Sequence, residues 1–151
     1  MTRWTPGEAE LEQQLAAGEL EQVTRGQADG AQLLKKARRT IDTANKVVET
    51  DPDSAFVLAY DAVRYAGTSL LAQQGLRPTS KGGHYAVERA LRVQFGSAFR
   101  LFGSMRRRRN ELEYPDLPDE ESDQAEAQQA IQDAHVLIAA AEQLLPILSL
   151  F

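Results

Sequence analysis

The sequence contains no cysteine, which excludes a disulfide framework, a thiolate nucleophile and a cysteine metal site, and agrees with a cytoplasmic address. Histidine is nearly as scarce. His84 and His135 are too few for a His-rich metal centre, and no carboxylates gather at metal-ligand spacing, so neither a metal nor another cofactor is expected. Long apolar runs are missing too. None approaches the ~18 residues of a membrane span. The opening MTRWTPGEAE lacks the apolar stretch of a signal peptide, so the chain is expected to stay off the membrane, in the compartment where it is made. Positive charge is not in excess either: the net charge is −5 and the isoelectric point near 5.1. Such a balance does not favour nucleic-acid binding through the whole surface, and a polyanion partner must use a local patch. No Ser-His-Asp arrangement is present, and Gly82 and Gly83 lack phosphate-loop spacing and are read as a hinge.

What is present is helical periodicity. A chain of 151 residues with 42% hydrophobic and 26% charged residues suits one domain with a genuine core. Residues 6–23 start with Pro6 and early glutamates, are interrupted by Gly18, and read as one or two short helices forming an arm, with Leu11, Leu15, Leu20 and Val23 as its apolar edge and Trp4 as a packing anchor. From Ala31 to Thr50, Leu34, Ala37, Ile41, Ala44 and Val48 recur at three- and four-residue steps, the mark of an amphipathic helix. Asp51 and Pro52 then cap the next helix, 53–74, which is apolar nearly all round in its first half and suits a central position. Gly75 closes it, and Leu76 to Gly83 read as a loop. His84 starts a further helix, which Gly96 and Ser97 bend or break. Pro115 and Pro118, with Asp116, Asp119 and Glu120, make a stop and an acidic linker, and a last helix runs from about Ser122 to Leu145. Period-two alternation is absent. The fold class is therefore all-α: an antiparallel up-and-down bundle of four main helices over residues 27–151, with an N-terminal helical arm over 1–26.

One segment is chemically specific: FGSAFRLFGSMRRRRNELEYP, 95–115. At about 100° per residue, Phe95, Ala98, Phe99, Phe102, Met105 and Leu112 share a stripe and Arg109 falls near its middle. Arg106 lies at the edge of the stripe, while Arg107 and Arg108 point away to solvent. These cations are the obvious phosphate-binding patch, with Arg89, Arg92 and Arg100 earlier on the segment. A guanidinium on an apolar face is costly unless paired or bordering a cleft. In a cleft, Arg109 would grip a phosphate bidentately, Asn110 would fix its orientation, and Tyr114 would offer a phenolic O–H. The plainer alternative pairs Arg109 with Glu113 at i+4. Tyr114 is also about 140° around the helix from Arg109, so the two converge only if the helix loosens before Pro115 or two chains each contribute one. Asp61 has Arg64 as a local partner at i+3. His84 reads as a surface residue at a helix start. His135 reads as a flank residue of the last helix's core stripe.

The segment MRRRRNELEYP, preceded by LAYDAVRYAGTSLLAQQGLRP and GGHYAVERAL, resembles the HEPN (higher eukaryotes and prokaryotes nucleotide-binding) superfamily over about 31–145. The resemblance implies a helical bundle, and in many members a metal-independent RNase or the toxin of a toxin–antitoxin pair. The family signature is an arginine, commonly followed by a polar residue such as asparagine, then a histidine after a gap of four to six residues. Arg109 and Asn110 match its start, whereas Tyr114 stands where histidine is expected. In RNase members the ribose 2′-OH attacks the adjacent phosphate while the arginine stabilises charge and the histidine moves protons. An acidic residue of a neighbouring helix often orients the family arginine, so the resemblance implies that role for Asp61 as the alternative to its pair with Arg64, and a role for His84 as a substitute acid or base reaching the cleft. A tyrosine with pKa near 10 is a poor base, so the resemblance supports RNA or nucleotide binding more directly than cleavage. It further implies a homodimer whose two Arg-Asn motifs line one groove, and a nucleotidyltransferase-like antitoxin as partner of toxin members. In those members a tyrosine two residues past the histidine is modified. Here that position is Asp116. A non-catalytic interaction module and a purely structural adaptor are the alternatives.

Overall fold

A computed structural model describes residues 3–117 and 121–151. Pro118, Asp119 and Glu120 of the expected linker lie outside them. Helix α1 (Glu8–Ala16) leads into a short strand β1 (Leu20–Gln22) and a 3-10 turn, Arg25–Gln27. Helices α2 (Ala31–Val47) and α3 (Pro52–Gln73) follow, then strand β2 (Leu76–Pro78), α4 (Gly83–Phe95), a 3-10 turn Gly96–Phe99, α5 (Phe102–Glu113) and α6 (Gln124–Leu144). A last 3-10 turn, Leu145–Ile147, carries the C-terminal tail. The fold is the all-α bundle that the periodicity implies.

Helix α3 is the centre of the molecule. It packs against α2, α4, α5 and α6, and its alanines at 55, 59, 62 and 66 are fully buried, so neighbouring helices approach it closely on several sides. Asp51 starts it by accepting from the backbone N–H of Ser54 at 3.1 Å, with Pro52 in the first helical position. Asp123 does the same for α6 through the N–H of Glu126, at 2.7 Å. Among the described residues no helix is long and apolar enough to cross a membrane.

One local feature departs from the sequence reading. The loop expected over 76–83 begins with β2, which pairs antiparallel with β1, Leu20 facing Pro78 and Gln22 facing Leu76. Three-residue strands carry no usable alternation, which is why periodicity missed them. The apolar edge of the N-terminal segment docks on the body: Leu11 and Leu20 are core residues, Gln14 donates to the carbonyl of Ala86 at 3.1 Å, and the Trp4 indole donates to the carbonyl of Gln94 with its ring tilted against Phe95. Gly96, at φ +57°, makes the expected break after α4. A non-glycine residue would be strained there. The break lets α5 turn back and lay its arginine-bearing face along α3.

Candidate functional site

Tyr60, Asp61, Arg64 and Tyr65 occupy a single stretch of α3, and their i, i+4 spacings put Tyr60 beside Arg64 and Asp61 beside Tyr65. Tyr60 is fully buried. Its ring meets Phe102 of α5 edge-on, and its hydroxyl lies 3.0 Å from Nδ1 of His84, at the start of α4. Burial pushes the Tyr60 phenol up to about 12 against the opposing pull of Arg64, Arg106 and Arg109. The half-buried His84 imidazole is held below its ordinary value, first by desolvation and then by the charges of Arg64, Arg109 and Arg106. Guanidiniums from α3 and α5 thus act on one tyrosine–histidine pair, and His84 is a member of the site and not only a helix-start residue.

The four consecutive arginines are unequal, as their spacing implies, although not in every detail. Arg109 turns inward and its side chain is 20% exposed. Its guanidinium lies 5.9 Å from the Tyr60 ring centroid, Nη1 donates to Asn110 Oδ1 at 3.2 Å, and Nη2 pairs with Glu113 at 3.0 Å. The i+4 pair is therefore formed, and Asn110 touches the guanidinium it was expected to orient. Arg106 reaches α4, where its Nε donates to Glu88 at 2.9 Å. Glu88 is 3% exposed and also faces Arg92 at 3.6 Å. Arg107 is solvent-exposed, as read. Arg108, read as pointing to solvent and contacting phosphate, is instead a structural clamp: Nε donates to both Glu126 oxygens at 3.1 and 3.2 Å, Nη2 to the Glu121 carbonyl at 3.0 Å, and Nη1 to Glu111 at 2.9 Å. Its donation to the Glu126 carboxylate is the main cause that raises its pKa. The Glu126 carboxylate and the Glu121 carbonyl, both on the α6 side, draw it away, and neither is visible from spacing on α5; only Glu111, its i+3 neighbour, is.

Asp61 stands loosely against Arg64, Oδ1 to Nη2 3.9 Å. Its pKa is raised, mainly by desolvation, with Arg64 and Arg109 pulling it back. The contact Asp61 makes is the local one with Arg64, and Arg109 acts on it through charge alone. Tyr114 is not gathered in. It terminates α5 outside helical geometry and is 73% exposed. Among the described residues, two donors in the cluster lack acceptors: the Nε groups of Arg64 and Arg109 are buried without hydrogen-bond partners, a condition that costs about 1–3 kcal/mol per group. A hollow of about 340 Å³ opens on the same α3–α5 seam, lined by Asp53, Val57, Leu58, Leu112 and Glu113 among others. A separate hollow of about 320 Å³, between α1 and α4 at Glu10, Gln14 and Arg89, borders no member of the cluster.

Periodicity alone did not pick out Tyr60, Glu88 or Gly103. Tyr60 hides in an apolar run, where the one available signal is a tyrosine four residues before an arginine in a buried helix. Glu88 shares a stripe with Ala86 to Leu91 and signals only by being a carboxylate there. Gly103 admits it: a Cβ at that position would stand 2.2 Å from Glu88 Oε1, so α5 accepts the buried carboxylate only where it has no side chain. Among the described residues, no three or more His, Asp or Glu side chains gather where a metal ion would be held.

A family model for the HEPN domain matches residues 31–144, from the first residue of α2 to the last of α6. No curated protein and no solved structure matches the chain.

Proposed function

The chain belongs to the HEPN family, and from that premise we propose that it binds RNA or a nucleotide through a phosphate held at the α3–α5 seam by Arg109, with Asn110, Arg64 and Arg106 beside it. Membership carries a nucleotide- or RNA-related role in general; the phosphate site is the finer reading. The observation that supports it most is the convergence of three guanidiniums on the pair of buried Tyr60 and half-buried His84, with two Nε–H groups short of an acceptor among the described residues. A guanidinium kept at an apolar seam is matched by a dianionic or monoanionic oxygen cluster, which accepts several N–H groups at once. Glu113, Asp61 and Glu88 neutralise part of the charge, so the site suits one phosphate and not a long polyanion track. The exposed Arg107 extends it toward a neighbouring phosphate.

Binding is a better account of this site than turnover. Transesterification at a ribose 2′-OH needs a group that gives and takes a proton near neutral pH, and Tyr114, in the position of the family histidine, lies in solvent beyond the end of α5. A homodimer that aligns two α5 helices would place two Arg-Asn motifs along one groove and is part of the proposal. Affinity for a fluorescein-labelled single-stranded RNA, measured by anisotropy for the natural chain, Arg109→Ala and Arg109→Lys, tests the reading. We expect the alanine variant to lose at least about tenfold, the worth of a charge-assisted pair, and lysine to restore only a part. Unchanged affinity in an alanine variant of native helicity would overturn it, and RNA cleavage in excess chelator that disappears in Arg109→Ala would replace binding with catalysis.

A further inference from the structure

His84 is the one histidine in the cluster, and a histidine beside an arginine invites the role of proton shuttle. Its surroundings argue otherwise. Tyr60 is fully buried, so its O–H must find an acceptor within the protein, and the acceptor found 3.0 Å away is Nδ1 of His84. The tyrosine donates, Nδ1 accepts, and the ring proton is left on Nε2. Nδ1 faces the buried hydroxyl of a half-buried ring, and among the described residues no hydrogen bond is made by Nε2. The charges that lower the affinity of the ring for a proton are Arg64 on α3, and Arg106 and Arg109 on α5, while Asp61, Glu88 and Glu113 stand against those guanidiniums as their counter-charges. Imidazolium formation would set a further positive charge against three guanidiniums. It would also reverse the Tyr60 hydrogen bond and leave a buried O–H without an acceptor.

Resting on the phosphate reading of this seam, we propose that His84 is a ligand-binding residue that donates its Nε2–H, as a neutral imidazole, to a phosphate oxygen held by Arg109, and that Tyr60 is the positioning residue that fixes this tautomer. The chemical class of ligand is a phosphodiester or phosphomonoester anion. A neutral donor adds a directional hydrogen bond to the guanidinium contacts while leaving the site unable to carry a proton to or from a ribose hydroxyl near neutral pH. The same arrangement thus specifies binding and withholds the acid–base step.

The test uses the full chain labelled with ¹⁵N-histidine. Imidazole nitrogen shifts of the free protein report the tautomer directly, and inorganic phosphate, then the single-stranded RNA, serve as probes. We expect an Nε2–H tautomer that persists from about pH 8 to about pH 6, across the ordinary histidine value, with the Nε2 resonance moving on addition of either probe. We also expect RNA affinity to fall about tenfold in His84→Ala and to be largely kept in His84→Gln, whose amide places an N–H near the lost Nε2. In Tyr60→Phe, RNA affinity acquires a pH dependence that the natural chain lacks, because Nδ1 is then free to protonate. An Nδ1–H tautomer in the free protein, or a His84→Ala variant that binds RNA with natural affinity, overturns the inference while leaving Arg109 binding intact. If RNA does not bind but phosphate still shifts Nε2, the RNA reading fails and the role of His84 stands.

Discussion

Arg108 and Arg109 are adjacent in sequence and do opposite work, which makes the pair the clearest lesson at the scale of single residues. One side chain lies over the Tyr60 ring with a buried Nε lacking an acceptor. The other ties α5 to Glu126 and the Glu121 carbonyl. The inward turn of Arg109 was legible because 100° per residue placed it on the apolar stripe. The capture of Arg108 was not, because its partners lie 13 and 18 residues along the chain. Arg108→Ala should therefore lower stability by about 1 kcal/mol, the worth of a partly exposed ion-pair network, and leave RNA affinity unchanged. Paired urea unfolding and anisotropy titrations check this, and a loss of affinity equal to that of Arg109→Ala would return Arg108 to the site. Tyr60 and His84 stand 24 residues apart on different helices, and neither residue alone signals the pair.

At the scale of elements, the helices were readable and the small sheet was not. Amphipathic spacing in α2 and the apolar stripe of α6 are repeated over several turns, so errors average out. Strands β1 and β2 span three residues each and are held by pairing with one another, a tertiary fact. Caps are local chemistry and were legible: Asp51-Pro52 starts α3 as its sequence suggests. Because α3 touches every main helix, its start matters to the whole bundle. We expect Asp51→Ala to cost about 1 kcal/mol, seen as a lower urea midpoint for global unfolding with no change in RNA affinity. A midpoint equal to that of the natural chain would show that Pro52 alone suffices to begin the helix.

For the whole molecule, the buried cluster couples stability to pH. His84 has a depressed pKa in the folded chain and an ordinary one when unfolded, so the unfolded state takes up a proton first as pH falls. Its stabilising contribution is full above about pH 6.5 and is lost as pH drops from there through the folded value. Asp61, raised mainly by burial, has the opposite sign: its contribution is present below the ordinary carboxylate range and is lost as pH rises through its folded value. The natural chain should therefore lose more stability between about pH 7 and about pH 5.5 than His84→Gln does, a difference measured by urea unfolding at both values, and equal losses would mean that His84 titrates normally in the fold. The all-α class, the order of the long helices, the inward turn of Arg109 and the family could be read from the chain before folding, because each rests on spacing within one helix or on a contiguous motif. That Arg108 is a clamp, that Tyr60 holds His84, that Glu88 anchors Arg106 opposite Gly103 and that Tyr114 stands outside emerged with the packing. These depend on which helices meet, and packing geometry, not periodicity, brings distant charges together.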